Sequence, residues 1–171
     1  DKVGLINTVT GLRGYRQDII DERAGVAGAH LMVEESGAPV LLVVRVKVVA
    51  DQLTEIELVA TRSRAEGLIF NINGLNAPNA VTNYAPRREQ RATREAALAA
   101  ALKYPEGLNA AKTFATVSAP FAPAAYRHEN GQLMAGPDCK FAPGCQNIST
   151  QSLAIFERLG DVRTRVIAVC E

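Results

Sequence analysis

The chain has 171 residues, which is enough for one domain with a substantial hydrophobic core. Its 19 basic and 18 acidic residues give a net charge of +1, which argues against a protein that binds nucleic acid electrostatically. No stretch of the sequence approaches the roughly 18 unbroken apolar residues that a membrane-spanning helix needs. We therefore expect neither nucleic acid nor a membrane among its partners.

Four extended segments follow one another in the first third of the chain, before any helical pattern. Strands are predicted at 15–21, 26–34, 40–49 and 53–61, because turn residues separate them. In the third segment apolar residues alternate with Arg45 and Lys47, which indicates a central strand. Arg45 is expected to pair with Glu57 on the next strand. Such a sheet has an apolar face that later parts of the chain must cover.

The segment 63–92 lacks a clear period and is rich in Asn and Pro, so it is predicted to be a long connection. Its apolar piece 68–72 is expected to dock on the body of the domain. We expect a single domain over 1–171, with the sheet in 1–62 and the helices and remaining strands in 93–171.

Helices and short strands are predicted after this connection. The predicted helices begin at Thr93, Pro105 and Thr150. A hairpin is expected from the segment 124–130, which turns at Asn130-Gly131 and returns through 132–135. A final strand is predicted at 163–170.

The three cysteines Cys139, Cys145 and Cys170 leave one unpaired if any bridge forms. Together with the absence of a visible secretory signal, this favours free thiols and a cytoplasmic location. The Cys139-x5-Cys145 spacing is not that of a zinc site, so no metal is expected. Asn147-Ile148-Ser149 is a formal glycosylation sequon, which we interpret as a helix start capped by Asn147 or Ser149.

A family resemblance is spread over most of the chain. The segments that carry it are Gly14-Tyr15-Arg16, Val43-Val44-Arg45-Val46-Lys47-Val48, Thr54-Glu55-Ile56-Glu57-Leu58-Val59, Pro120-Phe121-Ala122-Pro123 and Tyr126-Arg127-His128-Glu129-Asn130-Gly131. With the order of the predicted elements, they resemble a little-characterised SnoaL-like family of bacteria and fungi in the nuclear transport factor 2-like superfamily. The resemblance implies an α+β cone in which a curved antiparallel sheet and three helices enclose an apolar pocket.

The resemblance also implies a class of activity. SnoaL-like proteins include small isomerases, cyclases, hydrolases and lyases that use no cofactor, among them formaldehyde lyases acting on lignin-derived diarylpropane or phenylcoumaran diols. We therefore expect a cofactor-independent lyase or isomerase acting on a small hydrophobic, aromatic metabolite, and a homodimer or higher homo-oligomer. The alternatives are a non-catalytic ligand-binding or dimerisation module, and an epoxide hydrolase or polyketide cyclase on the same fold.

No established catalytic motif is present, so activity has to come from isolated polar residues in an apolar setting. His30 and His128 are the candidate bases, and Arg45 and Arg127 are the candidate stabilisers of developing charge. His30 is equally well interpreted as an ordinary core or surface histidine. Arg127 is also expected in an architectural pair, with Glu129 or with Glu57. The predicted substrate-binding residues are Tyr15, Tyr84, Tyr126, Met32, Asp138 and Lys140.

Overall fold

A computed structural model describes residues 4–76, 86–158 and 160–169. The helices are α1 (Leu5–Thr8), α2 (Arg64–Gly67), α3 (Ile72–Asn76) and α4 (Arg94–Ala110), and the strands are β1 (Val9–Asp21), β2 (Val26–Glu35), β3 (Ala38–Val49), β4 (Gln52–Thr61), β5 (Arg127–Glu129) and β6 (Gln132–Ala135). Short 3₁₀ turns occur at Arg88–Gln90, Phe114–Val117, Ile148–Thr150 and Ala154–Arg158. The protein is therefore α+β, as expected, but within these ranges only α4 is longer than five residues.

The four predicted strands form one antiparallel sheet in the order β1-β2-β3-β4. The prediction that the third strand is central is confirmed, since β3 lies between β2 and β4. Arg45 on β3 faces Glu57 on β4, so the predicted cross-strand pair is also confirmed. The strand alternation therefore predicted the four strands and one cross-strand pair between β3 and β4.

The two faces of the sheet bury different apolar clusters. On one face Tyr15, Met32 and Leu41 pack with Leu75 of α3. On the other face Leu31, Val33, Val40 and Leu42 form a second cluster, against which Leu5 and Val9 also pack. Side chains on β2 alternate between these clusters because successive residues of a strand point to opposite faces.

The connection after β4 contains the short helices α2 and α3. Phe70 and Ile72 pack against the cluster around Tyr15 and Met32, which confirms the docking predicted for this segment. Leu68 is the exception, because its side chain is 81% exposed. The backbone N–H of Asn71 donates to the carbonyl of Asn130 at 2.8 Å, so this segment also bonds to the turn between β5 and β6.

The helix α4 begins where the sequence predicts. Thr93 is its N-cap, and the Thr93 hydroxyl accepts a hydrogen bond from the Ala96 N–H at 3.2 Å. The prediction that Pro105 starts a second helix is wrong, because α4 runs through Pro105 to Ala110. A proline here removes the bond to the carbonyl of Ala101, and Ala101 is exposed, so water can take the place of the missing donor.

The third predicted helix is also wrong. Instead of a helix from Thr150, the chain has the 3₁₀ turns Ile148–Thr150 and Ala154–Arg158. The backbone N–H of Leu153 donates to the carbonyl of Lys112 at 2.8 Å, and the Gln151 side chain donates to the carbonyl of Met134. These long-range bonds fix the backbone between the two turns outside a helix. The expected cone with three helices is therefore not confirmed.

The hairpin is confirmed and the last strand is not. β5 and β6 pair across the Asn130-Gly131 turn, as predicted, although β5 is shorter than expected. No strand is present in residues 160–169. The Val169 N–H donates at 2.9 Å to the buried carboxylate of Asp21.

The chain divides into two compact units. The first comprises residues 1–90, 130–132 and 167–170, and the second comprises residues 91–129, 133–166 and 171. In the second unit a core of Phe114, Ala135, Ile148 and Leu153 is surrounded by further aromatic residues. Gly107 makes this packing possible, because a Cβ there would collide with the Phe114 ring. No helix in the described ranges is long and apolar enough to cross a membrane.

Candidate functional site

Tyr15 and His30 form a polar pair on the first unit's sheet. The Tyr15 hydroxyl lies 3.3 Å from His30 Nδ1, and the two rings meet edge to face with centroids 5.2 Å apart. Tyr15 falls in the irregular stretch of β1 between Leu12 and Arg16, where the pairing register with β2 shifts. Tyr15 lies on the face that carries His30 and Met32, since it is two residues before Gln17, which pairs with His30.

The surroundings of the pair are apolar on one side. Tyr15 is buried against Met32, which is fully buried, and His30 is half-buried. Burial lowers the pKa of His30 below its usual 6.5 and raises the pKa of Tyr15 above its usual 10.0, because each charged form would lose hydration. At neutral pH the pair is therefore an uncharged imidazole beside a protonated phenol, the forms that a base and a hydrogen-bond donor require.

Arg45 lies on the same face of the sheet. His30 pairs with Val43, and Arg45 is two residues further along β3, which makes it a diagonal neighbour roughly 7–8 Å away. The Arg45 Nη1 is 2.7 Å from a carboxylate oxygen of Glu55 and 2.7 Å from one of Glu57. Its charge is therefore already compensated by two carboxylates. Glu55, which sequence reasoning did not single out, could have been found from its position opposite Lys47.

A second cluster lies in the second unit and contains Tyr126, His128 and Asp138. The Tyr126 hydroxyl donates to Asp138 at 3.0 Å, and the ring centroids of Tyr126 and His128 are 6.3 Å apart. The hydrogen bond to Asp138 raises the pKa of Tyr126, and partial burial lowers the pKa of His128. In this cluster the tyrosine hydroxyl already donates its proton to a carboxylate.

Arg127 is the centre of a buried polar network in the same unit. Its guanidinium donates to the Tyr104 hydroxyl at 2.9 Å, to Gln151 Oε1 at 3.2 Å and to Glu129. Arg127 is 8% exposed. Its buried charge therefore joins α4, β5 and the segment that contains Gln151. The network supports the architectural interpretation of Arg127. Tyr104 and Gln151 were missed, and no pattern in the sequence marks them.

Two predicted substrate-binding residues remain. Lys140 is exposed in the loop after β6. Tyr84 lies outside the residues that the structure describes. The ten predicted site residues thus divide into Tyr15, His30, Met32 and Arg45 on one sheet face, Tyr126, His128 and Asp138 near the hairpin, Arg127 in its network, and these two.

Cys139 and Cys145 are joined by a disulfide with the Cα atoms 5.7 Å apart. The prediction of free thiols is therefore wrong for this pair, and both sulfurs are buried. The odd number of cysteines hid the pair, because one of the three has no partner within the chain. Cys170 lies outside the described residues. Across residues 4–76, 86–158 and 160–169 no group of three His, Cys, Asp or Glu side chains is arranged to hold a metal ion.

Comparison with known proteins gives one match. A family model described as Domain of unknown function (DUF8021) matches residues 90–169. Neither a curated protein nor a solved structure matches the chain. The similarity covers the Arg127 network, the cluster around His128 and the disulfide, whereas the sheet with Tyr15 and His30 lies outside it.

Proposed function

We propose that the protein is a cofactor-independent lyase or isomerase in which His30 moves a proton on a small hydrophobic, aromatic substrate. The observation that supports this is the 3.3 Å contact between His30 and Tyr15 beside a fully buried Met32. Among the predicted catalytic groups, His30 combines an uncharged imidazole with a phenol partner and an apolar neighbour. Lignin-derived diaryl diols are the proposed substrate class, from the family resemblance alone.

The proposed chemistry uses one tautomer of the pair. With His30 Nδ1–H donating to the Tyr15 oxygen, the Nε2 lone pair is free to take a proton from a substrate hydroxyl. The Tyr15 O–H then points away from His30 and donates to the oxygen that becomes negatively charged. In the lyase reaction the carbon–carbon bond next to this oxygen breaks: the oxygen becomes a carbonyl, the electron pair of the broken bond goes to the departing carbon, and the imidazolium gives its proton to that carbon. In the isomerase reaction Nε2 instead takes the proton from a carbon next to a carbonyl, whose oxygen becomes the charged one, and the imidazolium returns the proton to another carbon of the enolate.

The SnoaL-like cone is part of the same proposal. The four-stranded antiparallel sheet supports it, and the presence of one long helix among the described residues weakens it. The cytoplasmic location expected from the cysteine count is not carried into the proposal, because disulfides persist mainly in oxidising compartments.

A matched pair of histidine variants tests the assignment. Purified wild-type protein is incubated with a panel of diaryl diols, and release of formaldehyde and exchange of substrate hydrogen in D₂O are measured. His30→Asn should reduce turnover by roughly 10²–10⁴-fold, the usual contribution of a general base. His128→Asn, which removes the other histidine, should leave turnover close to the wild type. Full turnover by His30→Asn, or a wild type inactive on the whole panel, would contradict the proposal.

A second candidate function is a non-catalytic module that self-associates. The edge strand β4 exposes apolar side chains, with Leu53 62%, Ile56 58% and Val59 63% exposed. Exposed apolar edges of this kind favour contact with another chain. Light scattering across a dilution series should show a homodimer or larger assembly that Ile56→Lys dissociates. A monomer at all concentrations would reject this candidate.

A further inference from the structure

We propose that Asn147 is an N-glycosylation site. Asn147-Ile148-Ser149 is the only Asn-x-Ser or Asn-x-Thr sequence in the 171 residues. The pattern alone occurs by chance in many proteins that never meet a glycosyltransferase. Two features of the structure, the placement of Asn147 and the neighbouring disulfide, turn the pattern into a site.

The first feature is how Asn147 is presented. Asn147 is exposed at the start of the 3₁₀ turn Ile148–Thr150, and its Oδ1 accepts a hydrogen bond from the Ser149 N–H at 2.9 Å. The next side chain, Ile148, is 3% exposed and anchors the turn in the apolar core. The cap uses the Oδ1 atom and leaves the Nδ2 amino group, so a sugar on Nδ2 is compatible with the folded turn.

The second feature is the disulfide two residues before Asn147. Cys139 and Cys145 are bonded, and two further hydrogen bonds close the same loop: Gly136 N–H to the Cys145 carbonyl at 2.9 Å, and Gln146 Nε2 to the Cys139 carbonyl at 2.7 Å. A loop built around a buried disulfide fits a protein that folds in an oxidising compartment. In eukaryotic cells that compartment is also where asparagine is glycosylated, so the disulfide and the glycan would be formed in the same place.

The transfer step has a defined balance. The donor is an oligosaccharide linked through its anomeric carbon to a lipid pyrophosphate. A bond forms between Asn147 Nδ2 and that carbon, the bond from the carbon to the pyrophosphate oxygen breaks, and Nδ2 loses one proton. The lipid pyrophosphate leaves with the bonding electron pair, and no oxidation or reduction takes place.

The location of the site predicts competition between folding and glycosylation. Once Cys145 is bonded and Ile148 is buried, the sequon is held in a tight turn and is less able to enter a transferase as an extended strand. The unfolded and reduced chain should therefore be the better acceptor. Blocking the disulfide should raise the fraction of chains that carry a glycan.

The test uses the full 171-residue chain behind a secretion leader, translated in the presence of eukaryotic microsomes, with only protease-protected chains counted. The wild type should show one added glycan, which an N-glycosidase removes while converting Asn147 to Asp. Ser149→Ala is the matched negative control, because it destroys the sequon but keeps the Ser149 N–H that the cap uses. Ser149→Thr should retain the glycan, and Cys139→Ser with Cys145→Ser should increase its occupancy.

Two results would overturn the inference. Protected wild-type chains with the same mass as the Ser149→Ala variant would show that Asn147 is not an acceptor. A glycan that persists in Ser149→Ala would show that the modification lies elsewhere. Neither result depends on the His30 assay, so the glycosylation site and the proposed catalytic function can fail separately.

Discussion

Residues 9–61 and residues 112–158 are stabilised by different kinds of contact. The first region is a continuous antiparallel ladder, in which each of four long strands bonds to its neighbour. The second region has one short hairpin and several 3₁₀ turns, and it relies on the Arg127 network, a disulfide and bonds from Gln151 and Leu153 to distant carbonyls. Where regular backbone pairing is sparse, individual side chains carry more of the stability.

Removing the Arg127 guanidinium should have the largest effect. Arg127→Met should lower the free energy of unfolding by about 3 kcal/mol, because the hydrogen bonds of the buried guanidinium to Glu129, Tyr104 and Gln151 are lost. Urea unfolding followed by circular dichroism measures the loss. Adding Glu129→Gln should recover part of it, and Arg13→Met, which breaks a half-exposed pair with Glu34 in the sheet, should change little. Equal losses from Arg127→Met and Arg13→Met would remove the contrast between the regions.

The disulfide should come next. Cys139→Ser with Cys145→Ser should reduce the free energy of unfolding by about 2 kcal/mol, the value that chain entropy gives for a loop this short. The measurement compares the double variant with the wild type under oxidising and reducing conditions. The variant should be insensitive to reductant. A wild type whose unfolding is equally insensitive would show that the bridge contributes nothing.

The helix caps give a smaller and more local comparison. Thr93 caps α4 through its hydroxyl, whereas Ser63 precedes α2 without a capping hydrogen bond. Thr93→Ala should therefore cost about 1 kcal/mol in the free energy of unfolding, and Ser63→Ala should cost much less. Thermal unfolding of both variants checks the difference. A larger loss from Ser63→Ala would reverse the order.

The smallest expected effect is the acid dependence of stability. Burial lowers the pKa of His30 in the folded protein, so below about pH 6.5 the unfolded chain binds a proton first. The contribution of His30 is complete above that pH and is lost as the pH falls towards the lowered pKa. His30→Gln should flatten the stability profile in this window more than His128→Gln does, because His30 is the more buried of the two histidines. If His30→Gln and the wild type have the same dependence of stability on pH, the pKa of His30 is not lowered in the folded protein.

Sequence reasoning succeeded where contacts are local in the chain. The alternation around Arg45 predicted the third strand, its central place and the pair with Glu57. The Thr93 cap and the Asn130-Gly131 turn were also predicted, because each depends on residues adjacent in sequence. The placement of His30 and Met32 on one face followed from the same alternation, whereas the contact of Tyr15 with His30 depends on how β1 pairs with β2, a register that was not predicted.

Prediction failed where distant residues decide the backbone. The expected helix from Thr150 does not form, because the Leu153 N–H bonds to the carbonyl of Lys112, which lies 41 positions earlier in the chain. Residues 163–169 of the expected last strand form no ladder, and the Val169 N–H donates to the carboxylate of Asp21, far away in the sequence. The Arg127 network was half predicted: Glu129 is close in sequence, but Tyr104 and Gln151 are not. Such partners cannot be inferred from periodicity.

Two glycine turns of the first unit, at Gly131 and Gly37, differ in how much room surrounds them. A Cβ on Gly131 would collide with the carbonyl oxygen of Asn71, and the Asn130 side chain donates to the carbonyl of Ile69 at 2.9 Å. Gly37, between β2 and β3, has nothing within 4 Å of the corresponding position. For protein engineering, the Ser36-Gly37 turn is therefore the place to insert an epitope tag or a fluorophore, and the Asn130-Gly131 turn is the place to leave intact.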